Sequence, residues 1–350
     1  MNKQIRTLIV DDSALVRDIL SEGLSQDPEI VVIGTAADPY QARDILVIEK
    51  PDVITLDIEM PRMDGITFLK RYMSVLPTPT IIVSSLTEGN KHLSMDALEA
   101  GAVDIVSKPT SGLKDSLTIM MTELIHKIKI AATVNVSKTR PSQTFVKTSH
   151  LPTHSPEEST NRVIAIGSST GGTEALARII PSFPAFCPGI VIVQHMPADY
   201  TASLAERLDR LAQMKVKEAE NGDLVHSGQV LIAPGGMNHM KIHRFGSHYR
   251  VRLVSGEPVS SHRPSVDVLF SSIADAVGEN AIAVLLTGMG RDGADGLLQI
   301  KHAGGRTFVQ DEKTSVVWGM PKVAWEMNAA EAKISLQDIP RIVIKAIKRT

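Results

Sequence analysis

Three residues with the chemistry of a nucleophile, a base and an orienting acid each stand just past a short apolar run. Ser169 lies in Gly167-Ser168-Ser169-Thr170-Gly171, directly after VIAIG. This fits the G-x-S-x-G elbow, in which glycines permit a tight strand-to-helix turn that lifts a serine clear of a sheet. A serine hydroxyl is a poor nucleophile at neutral pH and needs a base beside it. His195 closes GIVIVQH, while His239 in PGGMNHM and His262 in HRPSVDVLF are rival bases. Asp292, after IAVLLTGMGR, supplies the carboxylate that orients an imidazole, with Asp295 as its less favoured neighbour. Only in the trio Ser169, His195 and Asp292 does every member follow a buried strand. That chemistry is acyl transfer through a serine.

A second set lies near the N-terminus. Asp11 and Asp12 close one apolar run and Asp57 another. At the carboxyl edge of a doubly wound sheet these three carboxylates meet, and an all-oxygen, acidic set suits a hard divalent ion such as Mg²⁺. Lys108 and Ser84 end two further runs at the same edge, and they offer a point charge and a hydroxyl donor for a phosphoryl group.

One motif competes. Gly288-Met289-Gly290-Arg291-Asp292-Gly293 matches G-x-G-x-x-G between a strand and a helix, with Asp311 and Glu312 placed for a ribose. A dinucleotide-dependent oxidoreductase is the alternative it raises. It leaves the Gly171-Gly172 turn and His195 unexplained, and Asp292 puts an acid where pyrophosphate would approach. No Walker-type lysine follows either glycine loop.

The elements that must position these residues alternate strand and helix in both halves. RTLIV, IVVIGTA, VITLDIE, TIIVSS and DIVSK read as strands in the first half, with helical spacing over ALVRDILSEGL and Tyr40 to Glu49. VIAIG, GIVIVQH, QVLIAP, IAVLLTG and RTFVQ follow in the second; apolar runs without alternation suit strands buried on both faces of a parallel sheet. His243 to Glu257 reads as a β-hairpin turning near Gly246 and Ser247. The fold class is therefore α/β, with two doubly wound domains. Between them, residues 131–161 are rich in Ser, Thr and Pro and predict a linker.

Residues 1–130 carry 13 basic and 19 acidic side chains, and residues 162–350 carry 21 and 18. An acidic module is thus tethered to a mildly basic one, in a chain of 350 residues with formal net charge −2. The balance disfavours a nucleic-acid partner, and the second half is too strand-rich for a helix-turn-helix output. No apolar run is long enough to span a bilayer, and the acidic N-terminal stretch is no signal peptide, so a cytoplasmic protein without membrane insertion is expected. The single cysteine, Cys187, forms no internal disulfide.

LIVDDS, LDIEMPRMDG, IIVSS and SKP, in this order, resemble the receiver domain of two-component response regulators. The resemblance implies a flavodoxin-like domain over 1–130 in which Asp57 accepts phosphate from a histidine kinase. Asp11 and Asp12 then bind Mg²⁺ with Asp57, and Ser84 and Lys108 sense the phosphoryl oxygens. It also implies a cis Lys108–Pro109 bond; Ile105 stands where the family often carries an aromatic switch residue.

IAIGSSTGGTEAL, VIVQHMPADYTASLAERL, VKEAENGDLVHSGQVLIAPGGMNHM, HRPSVDVLF and LLTGMGRDGADGL resemble the catalytic domain of the chemotaxis protein-glutamate methylesterases, the CheB family. What this implies is hydrolysis of glutamate methyl esters on methyl-accepting chemoreceptors, often with deamidation of receptor glutamines, by a hydrolytic domain over 162–350. Ser169 is then the nucleophile, His195 the base and Asp292 the orienting acid. Met289 gives its backbone N–H to the oxyanion hole, with Thr170 beside the nucleophile, and the esterase reaction needs no cofactor. Ser168 stands where many members have Ala. The order Ser, His, Asp differs from the Ser, acid, His order of α/β-hydrolases, so the triad is expected to be convergent. The linker and the opposite charges predict that the receiver restrains the esterase until Asp57 is phosphorylated.

Overall fold

The computed structural model describes residues 3–85, 88–109, 114–134, 136, 161–198 and 200–347. Most of the linker expected over 131–161 lies outside the described residues. The chain divides into two compact units, Met1–Gln143 and Thr144–Thr350.

The first unit alternates β1 (Ile5–Val10), α1 (Ala14–Leu24), β2 (Ile30–Ala36), α2 (Pro39–Glu49), β3 (Val53–Leu56), α3 (Gly65–Val75), β4 (Thr80–Ser85), α4 (Glu88–Glu99), β5 (Asp104–Lys108) and α5 (Lys114–Ala131). Its five parallel strands run in the order β2-β1-β3-β4-β5, the flavodoxin-like arrangement. Side-chain caps set three of the helix starts. Ser13 takes the Val16 N–H, Asp38 takes Tyr40 and Gln41 with Pro39 next to it, and Asp64 takes Thr67. β3 stops at Leu56, short of the expected Glu59, because the Asp57 carboxylate accepts the Ile58 N–H at 2.7 Å and turns the chain off the ladder. The Lys108–Pro109 peptide, expected cis, is trans, the form X–Pro bonds favour by default; among the described residues the cis peptide is Arg263–Pro264.

The second unit runs β6 (Val163–Ser168), α6 (Gly172–Ile179), β7 (Gly189–Gln194), α7 (Tyr200–Leu211), β8 (Lys215–Glu218), β9 (Leu224–Val225), β10 (Gln229–Ile232), β11 (Asn238–Phe245), β12 (His248–Ser255), α8 (Val266–Ala276), β13 (Ala281–Leu285), α9 (Ala294–His302), β14 (Arg306–Gln310), α10 (Met320–Glu326), β15 (Ala332–Ile334) and α11 (Ile339–Ile347). Seven parallel strands are ordered β15-β14-β13-β6-β7-β10-β8. From β6 the chain builds outward through β7 and then, after β12, outward the other way from β13. The order therefore reverses between β6 and β13, and a crevice opens at such a switch point.

Every residue of β6, β7 and β13 is buried, as their unbroken apolar runs require. On one face Leu269, Phe270 and Ile273 of α8 pack with Leu297 and Ile300 of α9 against Ala165, Ala283 and Leu285. The hairpin turns where expected, between Phe245 and His248, but its arms reach back to Asn238 and join β9 in a small antiparallel sheet. His239, expected in a loop, is consequently a buried strand residue. No described helix is long and apolar enough to cross a membrane.

Candidate active site

Ser169, His195 and Asp292 all follow strands at the switch point. Ser168 and Gln194 are register partners on β6 and β7, so Ser169 and His195 are the next residues beyond two paired strands. The edge is stitched by backbone bonds. His195 N–H donates to Ser168 O at 3.0 Å, and Ser169 N–H to Thr287 O at 3.0 Å. Gly171, with φ of 77°, turns the chain into α6, whose open N-terminus follows the serine closely.

His195 Nε2 lies 2.7 Å from Asp292 Oδ2. The carboxylate is nearly sealed, at 1% exposure, and is saturated with donors. Oδ2 also accepts the Val266 N–H at 2.7 Å; Oδ1 accepts Ser265 Oγ at 2.7 Å and the Asp267 N–H at 3.1 Å. Burial opposes the charge, but the His195 hydrogen bond and the donors from Ser265 and Val266 overcome it and hold the Asp292 carboxyl at about 2. It is ionised at neutral pH. With Nε2 engaged, Nδ1 is the ring nitrogen left to exchange a proton; it is buried and has no hydrogen-bond partner among the described residues.

Ser168 is engaged within the fold. Its hydroxyl is fully buried and donates to Gln194 Oε1 at 2.7 Å. Gln194 Nε2 in turn donates to Ser169 O at 3.0 Å and His195 O at 2.9 Å, clamping both site residues. A Cβ at Gly172 would collide with Gln194 Oε1, which accounts for the Gly171-Gly172 turn. Sequence reasoning missed Gln194; a buried amide at a strand end beside His195 was its only signal.

The rival histidines separate clearly. His239 is engaged at both nitrogens: Nε2 with Glu257 O at 2.9 Å, and Nδ1 with the Ser265 N–H at 3.1 Å. Ser265 caps α8 and donates to Asp292, so His239 supports the acid from behind. His262 stacks on His195, with ring centroids 3.7 Å apart and planes 6° from parallel, which restrains the tilt of the His195 ring. Asp295 is bound to Arg291.

Met289 follows Gly288, which is packed directly against Ser169: a Cβ there would lie 2.7 Å from Ser169 Cβ. No described residue accepts the Met289 N–H. Thr170 is buried beside the serine, and its carbonyl accepts Thr287 Oγ1 at 3.0 Å. The same packing answers the nucleotide reading. The glycine loop is filled by Ser169, Met320 and the buried Asp292, while Asp311 is engaged with Thr314.

In the first unit, Asp11, Asp12 and Asp57 bring carboxylate oxygens within 4.8 Å of one another, a set that can hold a metal ion. Lys108 Nζ lies 2.7 Å from Asp57 Oδ2 and 2.8 Å from Asp11 Oδ2. Burial pushes the Asp57 carboxyl up, against the pull of Lys108. Ser84 is buried at the end of β4.

Comparison with known proteins extends this picture to the whole chain. The CheB methylesterase family model matches residues 164–343, and the response regulator receiver domain model matches residues 7–118. A protein-glutamate methylesterase/protein-glutamine glutaminase of Syntrophotalea carbinolica is 55% identical over 98% of both chains. A protein of the same name from Sulfurimonas denitrificans is 54% identical over 96% of both. The crystal structure of the Thermotoga maritima CheB methylesterase catalytic domain superposes with a TM-score of 0.52 at 40% identity, covering 53% of this chain and 98% of that one. A receiver followed by an esterase domain, matched from end to end by relatives of this identity, makes the chain a member of the CheB methylesterase family.

Proposed function

We propose that the chain removes methyl groups from glutamate methyl esters of chemoreceptors, deamidates specific receptor glutamines, and is governed by phosphorylation of its own receiver. The observation that carries this reading is the His195–Asp292 pair at 2.7 Å, held beyond the two strands that flank β6, whose next residue is Ser169.

In this mechanism Ser169 Oγ attacks the ester carbonyl while His195 Nδ1 takes the hydroxyl proton. The C–Oγ bond forms and the carbonyl electron pair moves onto oxygen, where the Met289 N–H, with Thr170 alongside, supports the charge. Collapse breaks the bond to the methoxy group, which leaves as methanol with the proton from Nδ1. A water, deprotonated by Nδ1, then cleaves the acyl-enzyme, yielding glutamate and restoring Ser169. For glutamine the C–N bond breaks instead and ammonia leaves. Asp292 stays ionised and holds the imidazolium that forms.

In the receiver, Asp57 is the phosphoryl acceptor and a chemotaxis histidine kinase the donor. Asp11, Asp12 and Asp57 would hold Mg²⁺, for which an all-oxygen donor set is suited. Bound there, the ion would supply charge neutralisation for the incoming phosphoryl oxygens. In this reading Lys108 exchanges its carboxylate partners, Asp11 and Asp57, for those oxygens, and Ser84 meets them from the end of β4. The division that goes with this reading is a receiver over 1–130, a linker over 131–161 and a catalytic domain over 162–350, in the cytoplasm, with no nucleic-acid partner.

The test is methanol release from methylated receptor fragments by the wild type and by Ser169→Ala, each with and without a small phosphodonor. Release that needs Ser169 and rises with the phosphodonor is expected. Full activity in Ser169→Ala would overturn the triad, and stimulation that survives Asp57→Asn would overturn the switch.

A further inference from the structure

The β11–β12 hairpin carries a strip of cations, none of which forms an ion pair among the described residues. Residues 238–255 contain four Lys or Arg and no Asp or Glu. Cross-strand register sets Lys241 opposite Arg252 and His243 opposite Arg250 on one face, with Phe245 opposite His248 at the tip. Like charges placed directly opposite destabilise a sheet, so this pairing works against the fold. Lys241, Arg244 and Arg252 are exposed, and none of the four forms an ion pair among the described residues. Arg250 lies over the Phe245 ring at 4.6 Å, and that ring is 57% exposed. Between the hairpin and α8 lies an open cavity of about 650 Å³; Asp267 and Asp275 line its far wall without pairing with the strip.

The strip is tied to the site. It starts two residues from His239, whose bond to Ser265 leads on to Asp292. Same-face residues on a strand recur every ~7 Å, and carboxylates four apart on a helix are separated by ~6 Å, so the two arrays match in spacing. Each turnover of the proposed reaction converts a neutral ester or amide into a carboxylate. A receptor segment therefore grows more acidic as the enzyme works along it.

We infer that this strip docks the glutamate-bearing segment of the substrate protein, gripping free carboxylates that flank the group being hydrolysed. The inference rests on the esterase reading. Its effect falls on encounter and KM rather than on kcat, since no strip residue touches the reacting atoms.

The experiment separates the two. Receptor fragments carrying one methyl ester are made with either Glu or Gln at the flanking sites. Binding to Ser169→Ala is measured at low and high salt, and methanol release is measured with the Ser169-containing chain. The Glu fragment is expected to bind more tightly, with a preference that salt erodes. Lys241→Glu/Arg252→Glu should lose that preference and lower kcat/KM by roughly tenfold at low salt, with kcat unchanged. Hydrolysis of a short uncharged glutamate methyl ester peptide should not change. Lys241→Glu alone puts a carboxylate opposite Arg252, a pairing that favours folding, and should act in the same direction. Equal binding of the Glu and Gln fragments, or an unaltered salt dependence in the double variant, overturns the docking surface whatever the turnover. Tighter binding to a homopolymeric RNA than to the fragment, lost in the same variant, would also overturn it. Failure of the Ser169-containing chain to release methanol would instead count against the esterase reading.

Discussion

Gly288 is where the loop carrying Met289 packs against Ser169, and replacing it by alanine tests how tightly the proposed site is built. Its φ is not positive, so the backbone accepts alanine and the effect is steric alone. The new Cβ would collide with Met320 Sδ, on a flexible side chain that can swing aside, and would stand 2.7 Å from Ser169 Cβ and 3.2 Å from Ser169 N, against ordinary carbon contacts of ~3.5–4 Å. The loop has no easy retreat. Gly288 N–H donates to Val317 O at 3.0 Å, and its carbonyl accepts from Gly319 and Met320 at 3.1 and 2.8 Å. Ser169 and Met289 must therefore separate by most of an ångström. A misplacement near 1 Å costs on the order of 100-fold in rate, and overpacking costs ~1–3 kcal/mol of stability. The assay is kcat for methanol release beside thermal unfolding of the same protein. Gly222→Ala is the control: φ is 94° and the space is open, so strain of about 1 kcal/mol should appear with kcat unchanged. A Gly288→Ala enzyme within about threefold of wild-type kcat would refute the reasoning.

Other variants probe the neighbouring contacts. Ser168→Ala should keep most of its turnover yet lose roughly 1–3 kcal/mol in urea melts, because Gln194 Oε1 loses its donor, whereas Ser169→Ala should stop methanol release. Asp292→Asn should lower kcat by about 10⁴-fold. Since Asp292 is depressed from 3.8 to about 2, its charge stabilises the fold above pH 3.8 and that contribution is lost as pH falls through 2; the variant should be weaker by about 2–3 kcal/mol at pH 7 and flatter in acid melts. Asp267 behaves oppositely. Burial, with the charges of Asp292 and Asp295, raises it to about 6, so its ionisation removes stability as pH climbs from 3.8 through 6. Discounted for its partial exposure, Asp267→Asn should gain roughly 1 kcal/mol at pH 7 in chemical denaturation and nothing at pH 3.

How much of this was legible in the sequence depended on whether a residue's role is local. β6, β7 and β13 announced themselves as unbroken apolar runs, and Ser169, His195 and Asp292 followed from their place just beyond them. Strands β8, β9 and β15 were not anticipated. They are two to four residues long, and KVKE at the sheet edge carries lysines that mask a single buried Val216. Histidine roles were the least legible. His239 and His262 sit in similar polar segments, yet strand register commits one at both nitrogens while the loop after β12 lays the other flat on His195. What engages Ser168 was likewise hidden: its hydroxyl bonds Gln194, 26 positions away, a partner that no local motif contains.

The parallel rings of His195 and His262 have a consequence for inorganic chemistry. Together with Asp292 they offer the donor composition of a zinc centre, with one ligand atom of each within 4.8 Å of the others. An imidazole binds a metal along its lone pair, in the plane of the ring, at ~2.0–2.1 Å. Two rings 3.7 Å apart and 6° from parallel have no common in-plane point at that range, and each Asp292 oxygen already accepts two hydrogen bonds. A cluster that looks like a metal trap by composition is closed to one by the angle between two planes, leaving its histidine available for proton transfer.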